Sequence, residues 1–167
     1  MALDYTKCME KGMKYLSKQG AFLTSKHEDK VNTMTVSWGS IGYMWGKPIF
    51  TIMVRKSRYT HGIIEKADSF TLSIPTNSDL KKELGICGSK SGRDVNKYEV
   101  ANIELQDSND VESPIIKGCG IYFECKIIYK SDIDPNLLKG DANASWYYNE
   151  DYHTVFYGEI VNCYFNE

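Results

Sequence analysis

No two of the five cysteines (Cys8, Cys87, Cys119, Cys125 and Cys163) form a C-x-x-C pair, and their number is odd. Both facts argue against a disulfide framework and against zinc, which leaves reduced, mostly structural thiols and no expected metal. Long apolar runs are missing too, since none approaches the roughly 18 residues that a membrane-crossing helix requires. The opening MALDYTKCMEKG has an acid at Asp4 and lacks the apolar core of a signal peptide, so the expectation is a soluble, cytoplasmic protein with no membrane partner. Charge of one sign is also scarce: 20 Lys and Arg against 22 Asp and Glu give a formal net charge of −2. No global field draws the chain to nucleic acid, and any anion site must be local. There is no Ser-His-Asp or Cys-His arrangement and no carboxylate pair near an obvious pocket, so no side chain stands out as catalytic. Nucleotide fingerprints fail as well. Gly88, Ser89, Lys90 and Ser91 mimic the end of a P-loop, but the lysine does not follow a glycine and no strand leads in. Gly85, Gly88 and Gly92 have the wrong spacing for a dinucleotide loop.

What is present centres on Asn32 to Thr60, NTMTVSWGSIGYMWGKPIFTIMVRKSRYT. Thr33, Thr35 and Ser37 alternate with Met34, Val36 and Trp38, which puts hydroxyls on one face of a strand spanning Val31 to Trp38. Gly39, Gly42, Gly46 and Pro48 mark the next segment as a loop. Its Tyr43, Met44 and Trp45 cover apolar surface, line a cleft or pack on a second subunit. Ile49 to Val54 reads as a strand that delivers the chain into Arg55, Lys56, Ser57 and Arg58. A helical pattern then runs from Tyr59 to about Asp68, with Tyr59, Ile63, Ile64 and Ala67 on one side and Ser57 as N-cap. Such a corner suits phosphate, with Arg55 and Arg58 as forked donors and the Ser57 and Thr60 hydroxyls beside them. A solvated basic turn is the competing reading.

Elsewhere, Met9, Met13 and Leu16 space a short helix over Thr6 to Ser17 that Gly20 ends, and Ala21 to Ser25 reads as a strand. Ser69 to Ile74 is another strand, and Asn77 to Leu84 a short helix. Ile103 to Leu105 is a brief strand. Ile115 to Tyr129 reads as one long strand in which Cys119, Ile121, Phe123, Cys125 and Ile127 share a face. Asp132 to Asp151 is a polar excursion with a helical turn at Asn136 to Leu138, and its Trp146, Tyr147 and Tyr148 have no assigned place. His153 opens a last strand, His153 to Phe165. A chain of 167 residues is most simply one domain, 1–167.

Four blocks, NTMTVSWGS at Asn32 to Ser40, VRKSRYTHGIIEKADSFTLSIP at Val54 to Pro75, CGSKSGRDVNKYE at Cys87 to Glu99 and YHTVFYGEI at Tyr152 to Ile160, resemble the flavin reductase-like family in content and order. These are FMN-binding split barrels that include flavoredoxins and small ferric reductases. The resemblance implies a mainly β, Greek-key split β-barrel with short peripheral helices. It implies FMN, with Thr33, Met34, Thr35, Val36, Ser37 and Trp38 along the ring and ribityl chain and Arg55, Lys56, Ser57, Arg58, Tyr59 and Thr60 at the phosphate. Ser91 and Gly92 would form a turn beside the cofactor, with Lys97 reaching its region and Tyr98 packing inward. Asn96 stands where relatives commonly have Asp. His153, six residues before Glu159, and Trp45 are the candidates for a substrate or interface contact. A homodimer with FMN at its interface is implied, as is NAD(P)H as a transient donor. Three functions stay open: an NAD(P)H-dependent reductase of flavin, ferric chelate or a small acceptor; a flavoredoxin-type carrier that is reduced by a redox-protein partner; and a barrel that has lost its flavin.

Overall fold

The computed structural model describes residues 3–77 and 80–166, and its organising feature is one seven-stranded antiparallel sheet. Helix α1 (Thr6–Gln19) comes first, burying Cys8, Gly12 and Leu16, while Met9 and Met13 lie half-buried on the flank of that stripe. Gly20 stops the helix at φ +91°, where its N–H reaches the Leu16 carbonyl and a Cβ would sit 2.9 Å from the Val36 carbonyl oxygen. The elements that follow are β1 (Ala21–His27), β2 (Lys30–Val36), β3 (Gly39–Met44), β4 (Lys47–Arg55), α2 (Tyr59–Ile64), β5 (Ser69–Ile74), α3 (Lys81–Ser89) and α4 (Lys97–Val100). A short ribbon, β6 (Leu105–Gln106) with β7 (Ile115–Ile116), precedes β8 (Ile121–Asp132). A 3-10 turn at Pro135–Leu137 and α5 (Ala142–Trp146) lead to β9 (His153–Phe165).

The large sheet runs β2-β1-β5-β8-β9-β4-β3, so β2 and β3 are its opposite edges. Only Ser37 and Trp38 separate those two strands in the chain. Three Cα steps span at most about 11 Å, so the sheet must curl until its edges approach each other. It does not close, and the result is a split barrel. Side chains alternate across it as a strand's period of two requires. Leu23, Phe50, Phe70, Phe123 and Phe156 fill the inside, with Leu16 and Cys8 of α1 packed on the same cluster. Phe22, one residue from Leu23, points outward instead, into a second cluster with Leu84, Cys87, Ile115, Ile116, Cys119 and Tyr122. Covered on both faces, β5 has all six residues buried. Gly158 lets β9 cross this layer, because a Cβ there would meet the Phe70 ring at 2.6 Å.

Several expectations need correction. The segment read as a loop from Gly39 to Pro48 is mostly strand β3, paired with β4 from Gly39↔Ile52 to Met44↔Lys47. Its turn is Trp45 and Gly46, at φ +53° and +71°. Positive φ at both central residues suits the twist of a two-residue hairpin, but tryptophan is not a residue that announces such a turn. The long strand expected over Ile115 to Tyr129 is broken by a turn at residues 117–120, where Tyr122 Oη accepts the Cys119 N–H and donates to the Ile116 carbonyl. That break puts Cys119 in the outer cluster and Cys125 in the inner one. The brief strand expected at Ile103 to Leu105 lies instead at Leu105–Gln106. Helix α2 ends at Ile64, before the expected Asp68, and its N-cap is Arg58, not Ser57. Of the helix expected over Asn77 to Leu84, Ser78 and Asp79 lie outside the described residues; α3 runs on to Ser89 and so makes Cys87 and Gly88 helical.

Candidate functional site

Where the barrel splits, two recesses adjoin. The larger, of about 290 Å³, is bounded by Met34 to Trp38 leaving β2, by Met53 and Arg55 at the end of β4, and by Arg58, Trp146 and His153. The smaller, of about 160 Å³, is bounded by Asn32 and Met34, by Ser57 to Thr60, by Ser89, Lys90, Ser91 and Arg93 after α3, and by Lys97. Met34 and Arg58 belong to both, so the recesses form one continuous cleft.

The smaller recess is an anion site by composition. Arg58, Lys90, Arg93 and Lys97 line it, and among the described residues no carboxylate does. Lys97 is only 3% exposed and donates from Nζ to the Thr33 and Cys87 carbonyls at 2.9 Å each. Burial, with a smaller push from Arg58, lowers its pKa to about 8, the Cys87 side acting the other way. A buried ammonium held only by neutral carbonyls is a charge awaiting a counter-ion. Arg58 donates to the Gly88 carbonyl at 2.8 Å, and burial likewise lowers its pKa. Arg93 lies over the Tyr59 ring at 5.4 Å and donates to the Ser57 carbonyl. Gly92 backs this wall, where a Cβ would come within 2.4 Å of Asn32 Oδ1 and 2.7 Å of Tyr59. Asn32 in turn donates to Thr60 Oγ1. Asn96 accepts the Tyr98 N–H and caps α4, a task that Asp and Asn perform alike.

The larger recess is aromatic and rich in donors. Trp38 and Trp146 meet edge to face at 4.8 Å, and His153 lies 5.4 Å from Trp38. Arg55 pairs across the sheet with His153 and donates to the carbonyls of Asp151 (2.7 Å) and Trp146 (3.1 Å), with its guanidinium 5.3 Å from the centre of the Tyr147 ring. His153 is 7% exposed, and burial, then Arg55, pull its pKa down to about 4, so the ring is neutral near pH 7.

Residues 13–167 match the flavin reductase like domain. The chain belongs to that family. An uncharacterised protein of Archaeoglobus fulgidus is 28% identical over 150 residues, covering 90% of this chain and 74% of the relative. The flavoredoxin of Methanosarcina acetivorans superposes with a TM-score of 0.70 at 25% identity, over 89% of this chain and 69% of that one. An FMN-binding protein of Thermus thermophilus, solved with bound 1-cyclohex-2-enone, gives 0.66 at 23% identity over 87% and 68%. The open, mainly antiparallel sheet with a few short helices is the split barrel of these neighbours.

In this flavin reductase like chain the cleft gathers Met34, Thr35, Val36, Ser37, Trp38, Arg55, Ser57, Arg58, Tyr59, Thr60, Ser91, Lys97 and His153 from among the residues read off the sequence. Others fall elsewhere. Thr33 is fully buried with its hydroxyl on Thr24 and Tyr98, so only its carbonyl, through Lys97, serves the site. Lys56 leaves the corner for an ion pair with Asp132 at 2.7 Å. Ser57 gives its N–H and hydroxyl to the Asp151 carboxylate, so an internal anion already occupies the donors expected to meet phosphate. Trp45 sits at the far end of β4, roughly 25 Å along the strand from Arg55. It is 60% exposed, against Tyr129 and Tyr157. Met53, Asn32, Ser89, Lys90, Arg93, Trp146 and Tyr147 were given no role in this cleft from the sequence. Lys90 and Arg93 carried a signal, the cations of KSGR, whereas Trp146 and Tyr147 lie in an excursion without period.

Proposed function

We propose that the chain is an FMN-dependent oxidoreductase that takes hydride from NAD(P)H and passes electrons to flavin, a ferric chelate or another small acceptor. The observation that carries this reading is the continuity of an aromatic, donor-lined recess with one lined by four cations, a shape and charge pattern that suits a planar heteroaromatic ring tethered to a phosphate. Together the recesses reach the size usual for small-molecule sites, roughly 300–1,000 Å³. Arg58, Lys90, Arg93 and Lys97 would hold the phosphate, and Met34 to Trp38 would flank the ring and its chain. Bound there, FMN supplies the redox chemistry that no side chain of the cleft provides. Trp38 and Trp146 limit solvent access, and the two arginines and His153 orient the ring by its hydrogen-bonding edge. A second copy of the chain covers the open side in this reading, giving a homodimer, as the family resemblance implies.

A flavoredoxin-type carrier, reduced by a partner protein without NAD(P)H turnover, is the second reading. The likeness to the Methanosarcina flavoredoxin favours it, as do the exposed Trp45 and Tyr129, packed on the half-buried Tyr157 away from the cleft. One cuvette separates the readings: the visible absorbance of the purified protein, followed by anaerobic NADH and then NADPH. A flavin spectrum that bleaches within seconds supports the reductase. Colour that yields only to dithionite supports the carrier. A colourless protein that takes up no added FMN overturns both.

A further inference from the structure

Tyr147, left without a role by the sequence, is 5% exposed, and its hydroxyl has one hydrogen-bond partner among the described residues, His153 Nδ1 at 2.7 Å. The phenol keeps its proton at neutral pH, because burial raises its pKa. That proton has a single acceptor in reach. If Nδ1 carried hydrogen instead, the phenol O–H would be buried with nothing to receive it, at a cost of about 1–3 kcal/mol. The favoured wiring is therefore Tyr147 O–H donating to Nδ1, which fixes the other ring nitrogen, Nε2, as the N–H. Nε2 has no partner among the described residues, is not sealed from solvent, and belongs to a ring that lines the larger recess.

We infer that Tyr147 is a positioning residue that locks His153 in its Nε2–H tautomer, and that the bound ligand meets this N–H with a carbonyl oxygen or imine nitrogen of a planar heteroaromatic ring. The surroundings agree. Besides His153, the recess is lined by Arg55, Arg58, Trp38 and Trp146, whose polar side-chain groups donate and cannot accept, and by Ser37, whose hydroxyl can do both. Thr35 spends its hydroxyl on the Leu84 carbonyl. The charged and titratable groups around the imidazole are Arg55 from β4 and Asp151, Tyr147 and Tyr152 from the excursion. Arg55, facing it across the sheet, opposes protonation, so the ring acts as a neutral donor and not as an imidazolium. Tyr147 is itself held in place by stacking on Tyr152 at 4.7 Å and by the Arg55 guanidinium. The ligand half of this inference rests on the FMN reading; the tautomer half does not.

Long-range ¹H–¹⁵N correlation spectra of protein labelled at its three histidines test the tautomer directly, with His153→Gln assigning the signal. The expected result is a neutral Nε2–H ring from about pH 6 to 8 that becomes a mixture in Tyr147→Phe. A wild-type Nδ1–H ring, or an imidazolium at neutral pH, overturns the inference whether or not the protein binds flavin. Titrations then locate the acceptor. Tyr147→Phe is expected to weaken FMN binding about three- to tenfold if the acceptor is on the flavin. If it is on the second reactant, FMN affinity stays and the KM for NAD(P)H rises by a similar factor. Because Gln keeps an N–H near the Nε2 position, His153→Gln should lose less than about twofold, and adding Tyr147→Phe to it should cost nothing further. No change in either constant with Tyr147→Phe, or full additivity of the two substitutions, overturns it. A wild-type protein that binds no FMN sinks the FMN reading, and the spectra alone then decide the tautomer.

Discussion

The two recesses of the cleft are built in different ways. The cationic one comes almost whole from two short stretches, 57–60 and 89–97, set against Asn32 and Met34 of β2. The aromatic one sets the stretch Met34 to Trp38 against residues far apart in the chain, Met53 and Arg55 of β4, Arg58, Trp146 of α5 and His153 of β9. Its Trp146 arrives on an excursion of some twenty residues that Arg55 ties down by two carbonyls. Charge recognition tolerates local assembly, because a few cations near a turn already attract an anion. A ring-binding surface needs walls whose positions only the curled sheet can set. The contrast teaches that ligand affinity and ligand orientation are carried by different parts of the chain, and substitutions should separate them.

Arg58 is where that separation fails, since it serves both recesses. Arg58→Ala is expected to weaken FMN binding by about 1.5–3 kcal/mol, a factor of roughly 10 to 150, through loss of a charge-assisted, partly buried donor. A fluorescence titration that shows unchanged affinity would remove Arg58 from the ligand's contacts and leave Met34 to join the two recesses.

Lys97 gives the cationic recess a pH signature on the alkaline side, whereas His153 of the aromatic one titrates in acid. Its pKa is depressed from 10.5 to about 8 in the folded chain. Between those values the unfolded chain binds more protons at this residue, so its contribution to stability rises with pH from about 8 to about 10.5. Affinity for an anion runs the opposite way: the ammonium loses its charge through pH 8, and FMN binding should fall by about tenfold. Urea unfolding and FMN titration at about pH 7.5 and 9.5, each compared with Lys97→Gln, isolate the residue from other titrating groups. Parallel pH trends in wild type and variant would show that Lys97 carries neither effect.

Riboflavin, which lacks the phosphate, tests the division with smaller effects. Arg93→Ala should weaken FMN about three- to tenfold and leave riboflavin unchanged. Trp146→Ala should weaken both alike, by about 0.5–1.5 kcal/mol, because an indole contact does not sense the phosphate. If Trp146→Ala affected FMN alone, the assignment of ring to one recess and phosphate to the other would be wrong.

The same contrast explains what was legible in the sequence. The strand, corner and helix from Ile49 to Ile64 could be read because β-branched content, a cation cluster and a helical period follow one another within sixteen residues. The hairpin at Trp45 could not, since its positive φ is enforced by pairing of β3 with β4 and not by an Asn-Gly signal. Ser57 looked like an N-cap because residue type and spacing fit, but Asp151, 94 residues away, takes both its donors. Tyr147 and Trp146 could be named but not placed for the same reason: their partners, His153, Arg55 and Trp38, are brought together by the sheet. Residues that act with sequence neighbours could be read from local pattern, whereas those that act across the barrel were reached through the family resemblance, as His153 and Lys97 were, or were given no role.

Lys56 supplies the smallest effect and a clean control. It lies between Arg55 and Ser57, two cleft residues, yet its ammonium pairs with Asp132 outside the cleft, and both side chains are about half exposed. An exposed pair of this kind contributes at most about 1 kcal/mol to stability. Lys56→Ala should therefore lower the urea midpoint slightly and leave FMN and riboflavin affinities unchanged. Asp132 also accepts from Thr154 at 2.6 Å, so the carboxylate keeps a partner when the lysine is gone. A loss of FMN affinity comparable to that of Arg93→Ala would mean that the corner acts through its summed charge. In that case the local geometry that distinguishes Arg58 from its neighbour two residues away would count for little.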